Sequence, residues 1–125
     1  MINKAIYYIL SNDDPVKLLV STRIFAVVAP EKTLAPLVVF SRTARPVYTK
    51  SGLEHDQSFV TILIFSKIYA ESIDVMKAVR TALEFKKGIF AGVEIGDARV
   101  TDVDEGYDLE ADTFFQAIEM EFINK

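Results

Sequence analysis

The sequence predicts an α+β fold: a mostly antiparallel sheet with one long helix packed on it and short helices near the N-terminus. Three observations predict it. Apolar residues recur at helical spacing at the start of the chain and again over residues 70–86. Between and after these segments lie β-branched and aromatic runs. The last of those runs alternates, with one apolar and one polar face, as expected of an antiparallel sheet wet on one side. Helices, strands, a long helix and then more strands is the element order of an α+β domain. At 125 residues, half of them hydrophobic, the chain is long enough for one domain, 1–125, around one core.

Each element has a local reason. Ile2, Ala5, Ile6, Ile9 and Leu10 share one helical face, so residues 2–11 form a short amphipathic helix. Asp14 followed by Pro15 reads as a cap with proline in the first turn, opening a brief helix through Leu19. Ile24 to Val28 is a strand that stops before Pro30. Leu37-Val38-Val39-Phe40 is a strand bounded by Pro36 and Pro46, because proline removes a backbone donor and limits pairing to an edge or to the stretch between. The polar segment Arg42 to Gln57, with Ser51-Gly52 inside it, reads as a long loop or hairpin. Phe59 to Phe65 is apolar on both alternating faces, which predicts a central strand covered on each side. From Ala70 to Lys86, Ile73, Met76, Val79 and Leu83 line one helical face, flanked by Val75, Ala78 and Ala82. Glu71 and Asp74 suit its positive end, Lys86 and Lys87 its negative end, and Gly88 its left-handed stop. Ile89 to Val103 and Thr113 to Ile123 complete the sheet, with Phe114, Ile118, Met120 and Phe122 on the covered face.

The composition excludes much chemistry. With no cysteine there are no disulfides, thiolate zinc sites or cysteine nucleophiles, and a single histidine rules out a histidine-rich metal site within one chain. Gly-x-Ser-x-Gly, a phosphate-binding loop and a dinucleotide fingerprint are all missing. His55 stands between Glu54 and Asp56, in a loop before the central strand, with no nucleophile nearby; it reads as a solvated residue rather than a base. Asp102, Asp104, Glu105, Asp108, Glu110 and Asp112 invite a calcium reading, but Gly106 and Tyr107 break the EF-hand pattern at its fifth and sixth positions. An exposed acidic hairpin or loop is the simpler account. The expected answer is no catalytic, cofactor or metal site, and hence no enzyme. No secretory segment is expected either, since the apolar run of Met1 to Leu10 breaks at Ser11. Phe59 to Phe65 is far shorter than the ~20 residues a spanning helix needs, so a reducing cytoplasm is the expected site of synthesis.

Charge is divided along the chain. Residues 1–62 hold seven basic and five acidic groups and sum to +2, whereas residues 63–125 hold seven basic and thirteen acidic groups and sum to −6, giving the net −4. From Asp102 to Glu121 there are eight acidic side chains and no basic one. Between Glu31 and Glu54 the charges are all basic: Lys32, Arg42, Arg45 and Lys50. Arg42, Arg45, Lys50 and the aromatic Tyr48 make at most a small phosphate-contacting patch, and the overall acidity opposes counterion-driven binding to nucleic acid. The better use is complementarity, with the basic segment of one copy meeting the acidic segment of another.

These residues carry a resemblance. A short N-terminal helix leads into Asp14-Pro15-Val16, a proline-led strand follows at Ala35 to Phe40, and His55 precedes a strand. Then come the helix ending Val79-Arg80-Thr81-Ala82-Leu83, a polar acidic connection, and Phe114 to Phe122. The pattern resembles the tail-completion or tail-terminator (head-to-tail joining) proteins of long-tailed phages. The resemblance implies an α+β fold and a structural role in the virion, made in the bacterial host cytoplasm. It implies a homo-oligomeric ring, a hexamer, that caps the tail tube and joins it to the head connector protein. It carries no catalytic residues. The interface expected in such a ring comprises Arg42, Arg45, Tyr48 and Lys50 on one side and Asp102, Asp104, Glu105, Asp108, Glu110 and Asp112 on the other. The competing reading is a small oligomeric ligand-binding or regulatory α+β domain without catalysis.

Overall fold

The computed structural model describes residues 2–49 and 52–123; the side chains of 43–57 lie outside what is described. In chain order the elements are α1 (Ile2–Ser11), α2 (Asp14–Val20), β1 (Ile24–Ala26), β2 (Leu37–Thr49) and β3 (Gly52–Ser66), then α3 (Tyr69–Leu83), β4 (Gly88–Phe90), β5 (Val93–Ile95), β6 (Asp97–Asp108) and β7 (Thr113–Ile123). Five strands form one sheet in the order β1-β2-β3-β7-β6, and β4 pairs with β5 alone. Every pair in the large sheet is antiparallel except β1 with β2. The α+β expectation holds.

All three helices lie over one face of the sheet. Val60, Ile62 and Ile64 of β3 and Ile118, Met120 and Phe122 of β7 are fully buried there, under Ile2, Ile6 and Leu10 of α1, Val16 and Val20 of α2, and Val75, Val79 and Leu83 of α3. The cap of α2 is Asp13 rather than the expected Asp14: the Val16 N–H donates to the Asp13 carboxylate at 3.2 Å, and Asp14 and Pro15 both lie in the first turn. The buried stripe of α3 runs through Ser72, Val75, Val79, Ala82 and Leu83, while Ile73 and Met76 flank it half-buried.

Four further expectations are corrected. The polar segment 42–57, read as a long loop or hairpin, is a hairpin whose described residues 42–49 and 52–57 belong to β2 and β3; His55, expected in a loop, instead stands on β3 opposite Val47. Ladder hydrogen bonds satisfy the backbone of a polar segment as well as they do an apolar one. Pro46 is accommodated because its missing N–H faces the outer edge. The second apolar face of β3, expected to be covered, is not: Phe59, Thr61, Leu63 and Phe65 alternate half-buried with the buried residues between them. Helix α3 ends at Leu83 rather than Lys86, because the Phe85 N–H leaves the helix for the Ala98 carbonyl at 2.7 Å. The left-handed residue there is Phe85 (φ 62) rather than Gly88, which has φ 129. Finally, the run from Ile89 is not one strand. Ala91 (φ 50) and Gly92 (φ 78) turn β4 back on β5, the two-positive-φ turn that suits a tight hairpin, and β6 starts afresh at Asp97.

Phe122 is 0% exposed at the centre of the helix-covered face. Phe122→Ala is expected to cost about 3–5 kcal/mol through lost burial and the cavity it leaves, measured by urea unfolding.

Candidate functional site

Nine of the ten residues expected to form an interface are described, and they fall at opposite sides of the sheet. Arg42 is an exposed residue of β2, opposite Val60. Arg45 and Tyr48 follow on the same strand, opposite Gln57 and Leu53, with side chains outside the described set; Lys50 lies outside it altogether. Asp102, Asp104, Glu105 and Asp108 belong to β6, and Glu110 and Asp112 to the turn that follows. Strands β3 and β7 stand between β2 and β6, so the two groups are three strand spacings, roughly 14 Å, apart in one chain. The fold does not bring them together. It sets them at its two opposite edges.

The acidic residues have different tasks. The Glu105 carboxylate accepts from the Tyr69 hydroxyl at 2.9 Å and from Gln116 Nε2 at 3.3 Å. Gln116, 1% exposed, also donates to Ser72 Oγ at 3.3 Å, so a buried polar chain ties the start of α3 to the sheet. Beside it Tyr69, Phe114 and Tyr107 stack edge to face, at centroid distances of 5.5 and 5.0 Å. Glu105 holds the Tyr69 phenol above its ordinary value, chiefly through their hydrogen bond. Asp108 Oδ1 accepts from the Glu110 and Ala111 N–H groups, and the Tyr107 hydroxyl donates to Asp112, so these two aspartates build the β6–β7 turn. Asp102 and Asp104 remain at the strand edge. Asp102 stands directly opposite Glu119, a like-charged cross-strand pair that disfavours the isolated chain.

The uncovered face of the sheet is an apolar surface that the sequence reading missed. Val39, Leu63, Phe65, Phe115 and Ala117 occupy facing register positions on it and are all half-buried. Phe115 lies across Gly106 so closely that a Cβ there would come within 2.6 Å of its ring. A shallow cleft of ≈ 520 Å³ opens between Leu63, Phe65, Phe115 and the β6–β7 turn residues Leu109 and Glu110. The signal was present in the two apolar faces of residues 59–65; the number of helices available to cover them was not. Among the described residues no three carboxylates or histidines converge to hold a metal ion.

The family model described as Tail completion protein gp17 matches residues 4–123. A chain from the solved virion of a native gene transfer agent (GTA) particle superposes with a TM-score of 0.83 at 16% identity, over 96% of this chain and 91% of that one. At that identity the likeness is one of fold. No curated protein matches the chain.

Two titrations check the local electrostatics. Glu105→Gln is expected to lower the Tyr69 pKa towards its ordinary 10.0, followed by phenolate absorbance. In the parent protein this contact stabilises below 10.0 and its contribution is lost as pH rises through the raised folded value. The Arg99 guanidinium, 2.7 Å from Asp97, holds that carboxyl below its ordinary 3.8. That contribution is complete above 3.8 and lost as pH falls through the lowered value, so Arg99→Gln should raise the pH of acid unfolding.

Proposed function

The chain belongs to the tail completion protein gp17 family, and from that premise we propose that copies of it form a hexameric ring that caps the tail tube, ends its growth and joins it to the head connector. As a member of that family it is a structural, non-enzymatic protein of the virion tail. The observation that carries the ring is the placement of charge. The basic residues Arg42 and Arg45 stand on β2 and the acidic Asp102 and Asp104 on β6, at opposite edges of one sheet. Two different, complementary edges make a head-to-tail contact, and such contacts generate rings when the rotation closes. Each exposed ion pair contributes little, on the order of 0–1 kcal/mol, but an array of them fixes register and rejects the wrong partner.

The interface of the ring then comprises Arg42, Arg45, Tyr48 and Lys50 of one copy and residues of the Asp102–Asp112 segment of the next. The half-buried apolar face around Leu63, Phe65 and Phe115 supports a second contact, with the tail tube protein or the connector, since such a surface gains by being covered. Acidic groups left at the lumen would keep passing DNA from adhering, with no sequence-specific contact to it and none to a membrane.

Light scattering and negative-stain imaging, with and without purified tail tubes, test the ring: closed rings are expected, and a strict monomer under both conditions overturns it. Arg42→Glu with Arg45→Glu should weaken assembly most at low salt, where the lost attraction is least screened. Assembly unchanged at every salt concentration would reject the charged interface.

A further inference from the structure

Among the described residues no strand pairs with the outer side of β6, or with β2 beyond the end of β1, and both stretches are guarded. Backbone polar groups of a strand point alternately to its two neighbours. On β2, the Val38 N–H donates to the Arg23 carbonyl at 2.9 Å, and the Phe40 carbonyl accepts from the Val27 N–H at 2.7 Å, both on the β1 side. Continuing that alternation turns the backbone groups of Ala44 and Pro46 outward, past the end of β1 at Ala26. No strand among the described residues pairs with them there. Pro46 offers no N–H, a common device for blunting an edge.

The other edge is guarded by its own acids. At Ala98 the outward carbonyl is taken by the Phe85 N–H at 2.7 Å. Farther along, the Val103 N–H donates to Asp102 Oδ1 at 3.0 Å and the Glu105 N–H to Asp104 Oδ1 at 2.8 Å. Each aspartate folds onto the amide that follows it and fills the place of a neighbouring strand. Asp97 does the same for Ala98 at 2.9 Å. The edge therefore carries removable caps.

We infer that, within the ring proposed above, the β6 edge of one copy pairs by backbone hydrogen bonds with the β2 edge of the next, and that Asp102 and Asp104 are caps that this strand displaces. Four features converge on a second copy as the occupant. Strands β2 and β6 are related by three successive antiparallel pairings, so copies set side by side by rotation present them antiparallel. Charge forbids the alternatives: β6 against β6 sets acid on acid, β2 against β2 sets arginine on arginine, and only β6 against β2 is complementary. The ladder of β3 with β7 ends at Gln57, so among the described residues the distal arms of β2 and β3 have no third strand, and an isolated two-stranded ribbon is marginal in water. Lastly, displacement is balanced at the backbone: each aspartate gives up one amide to an incoming carbonyl, and that amide stays bonded throughout.

The inference rests on the ring reading, and its test separates the two. Backbone hydrogen exchange is followed by mass spectrometry on the full chain, as monomer and as ring. Exchange of the segment holding Val103 and Glu105 should slow by more than about tenfold on assembly. Ala44→Pro removes an outward N–H and leaves the pairing with β3 intact. It should keep the parent circular dichroism and raise the concentration needed for assembly at least about tenfold, since the proline cannot donate across the edge. Ala44→Ser should assemble like the parent. Rings whose Val103–Glu105 segment exchanges as fast as in the monomer, or a folded Ala44→Pro that assembles like the parent, would overturn edge pairing and leave the ring standing. If Ala44→Pro does not fold, the exchange comparison on the parent decides alone. A parent chain that forms no ring, even on tail tubes, overturns both.

Discussion

Strand β3 is the element on which the others depend. It is paired on both sides from Gln57 to Phe65, with β2 along one edge and β7 along the other. Val60, Ile62 and Ile64 point from it into the helix-covered core and are no more than 1% exposed. Burying three such side chains contributes on the order of 5–9 kcal/mol, before the entropy of ordering is subtracted. The same strand shows its other apolar residues to the open side. A chain of this size supplies three helices, and all three are used on one face. What is left, among the described residues, is a sheet with one finished face, one unfinished face and two open stretches of edge.

An unfinished sheet is a hazard for a protein meant to stay single, and the edges show how that hazard is managed. Proline at Pro46 and the aspartates at Asp102 and Asp104 satisfy or remove backbone donors without closing the edge permanently. The aspartates on β6 are acidic, and the charged residues beside Pro46 on β2, Arg42 and Arg45, are basic. In the proposed ring, the same residues that prevent indiscriminate pairing select the correct neighbour. Membership of the tail completion protein gp17 family gives this a context, because such a protein works through surfaces rather than through a reactive centre.

Within the chain, the acidic run is not uniform. Glu105 is drawn inward by Tyr69 and by Gln116, whose amide also reaches Ser72. This polar chain fixes where α3 begins over the sheet. Asp108 and Asp112 shape a turn, and Asp102 and Asp104 guard an edge. Six residues that look alike in sequence hold three kinds of position, and only two of them guard the edge at which a neighbouring strand would arrive.

Much of the fold was legible because periodicity records burial directly. The faces of residues 2–11 and of the last strand, the proline in the first turn of α2, and the helix after Ala70 all follow from spacing and local chemistry. The absence of a reactive constellation was equally plain in residues that are not there. Spacing is silent, however, on which strands become neighbours. The hairpin of residues 42–57 was open to the sequence reading, but that His55 stands within its paired strand rather than in a loop depends on backbone hydrogen bonds, which any side-chain composition can supply. The end of α3 was set by the Ala98 carbonyl, a residue of the sheet. By itself the sequence determined a helix-backed sheet and a chain divided into a basic and an acidic portion. Only the tertiary structure decided that those portions stand at opposite edges of one sheet, because strand order is fixed by which surfaces can be buried together.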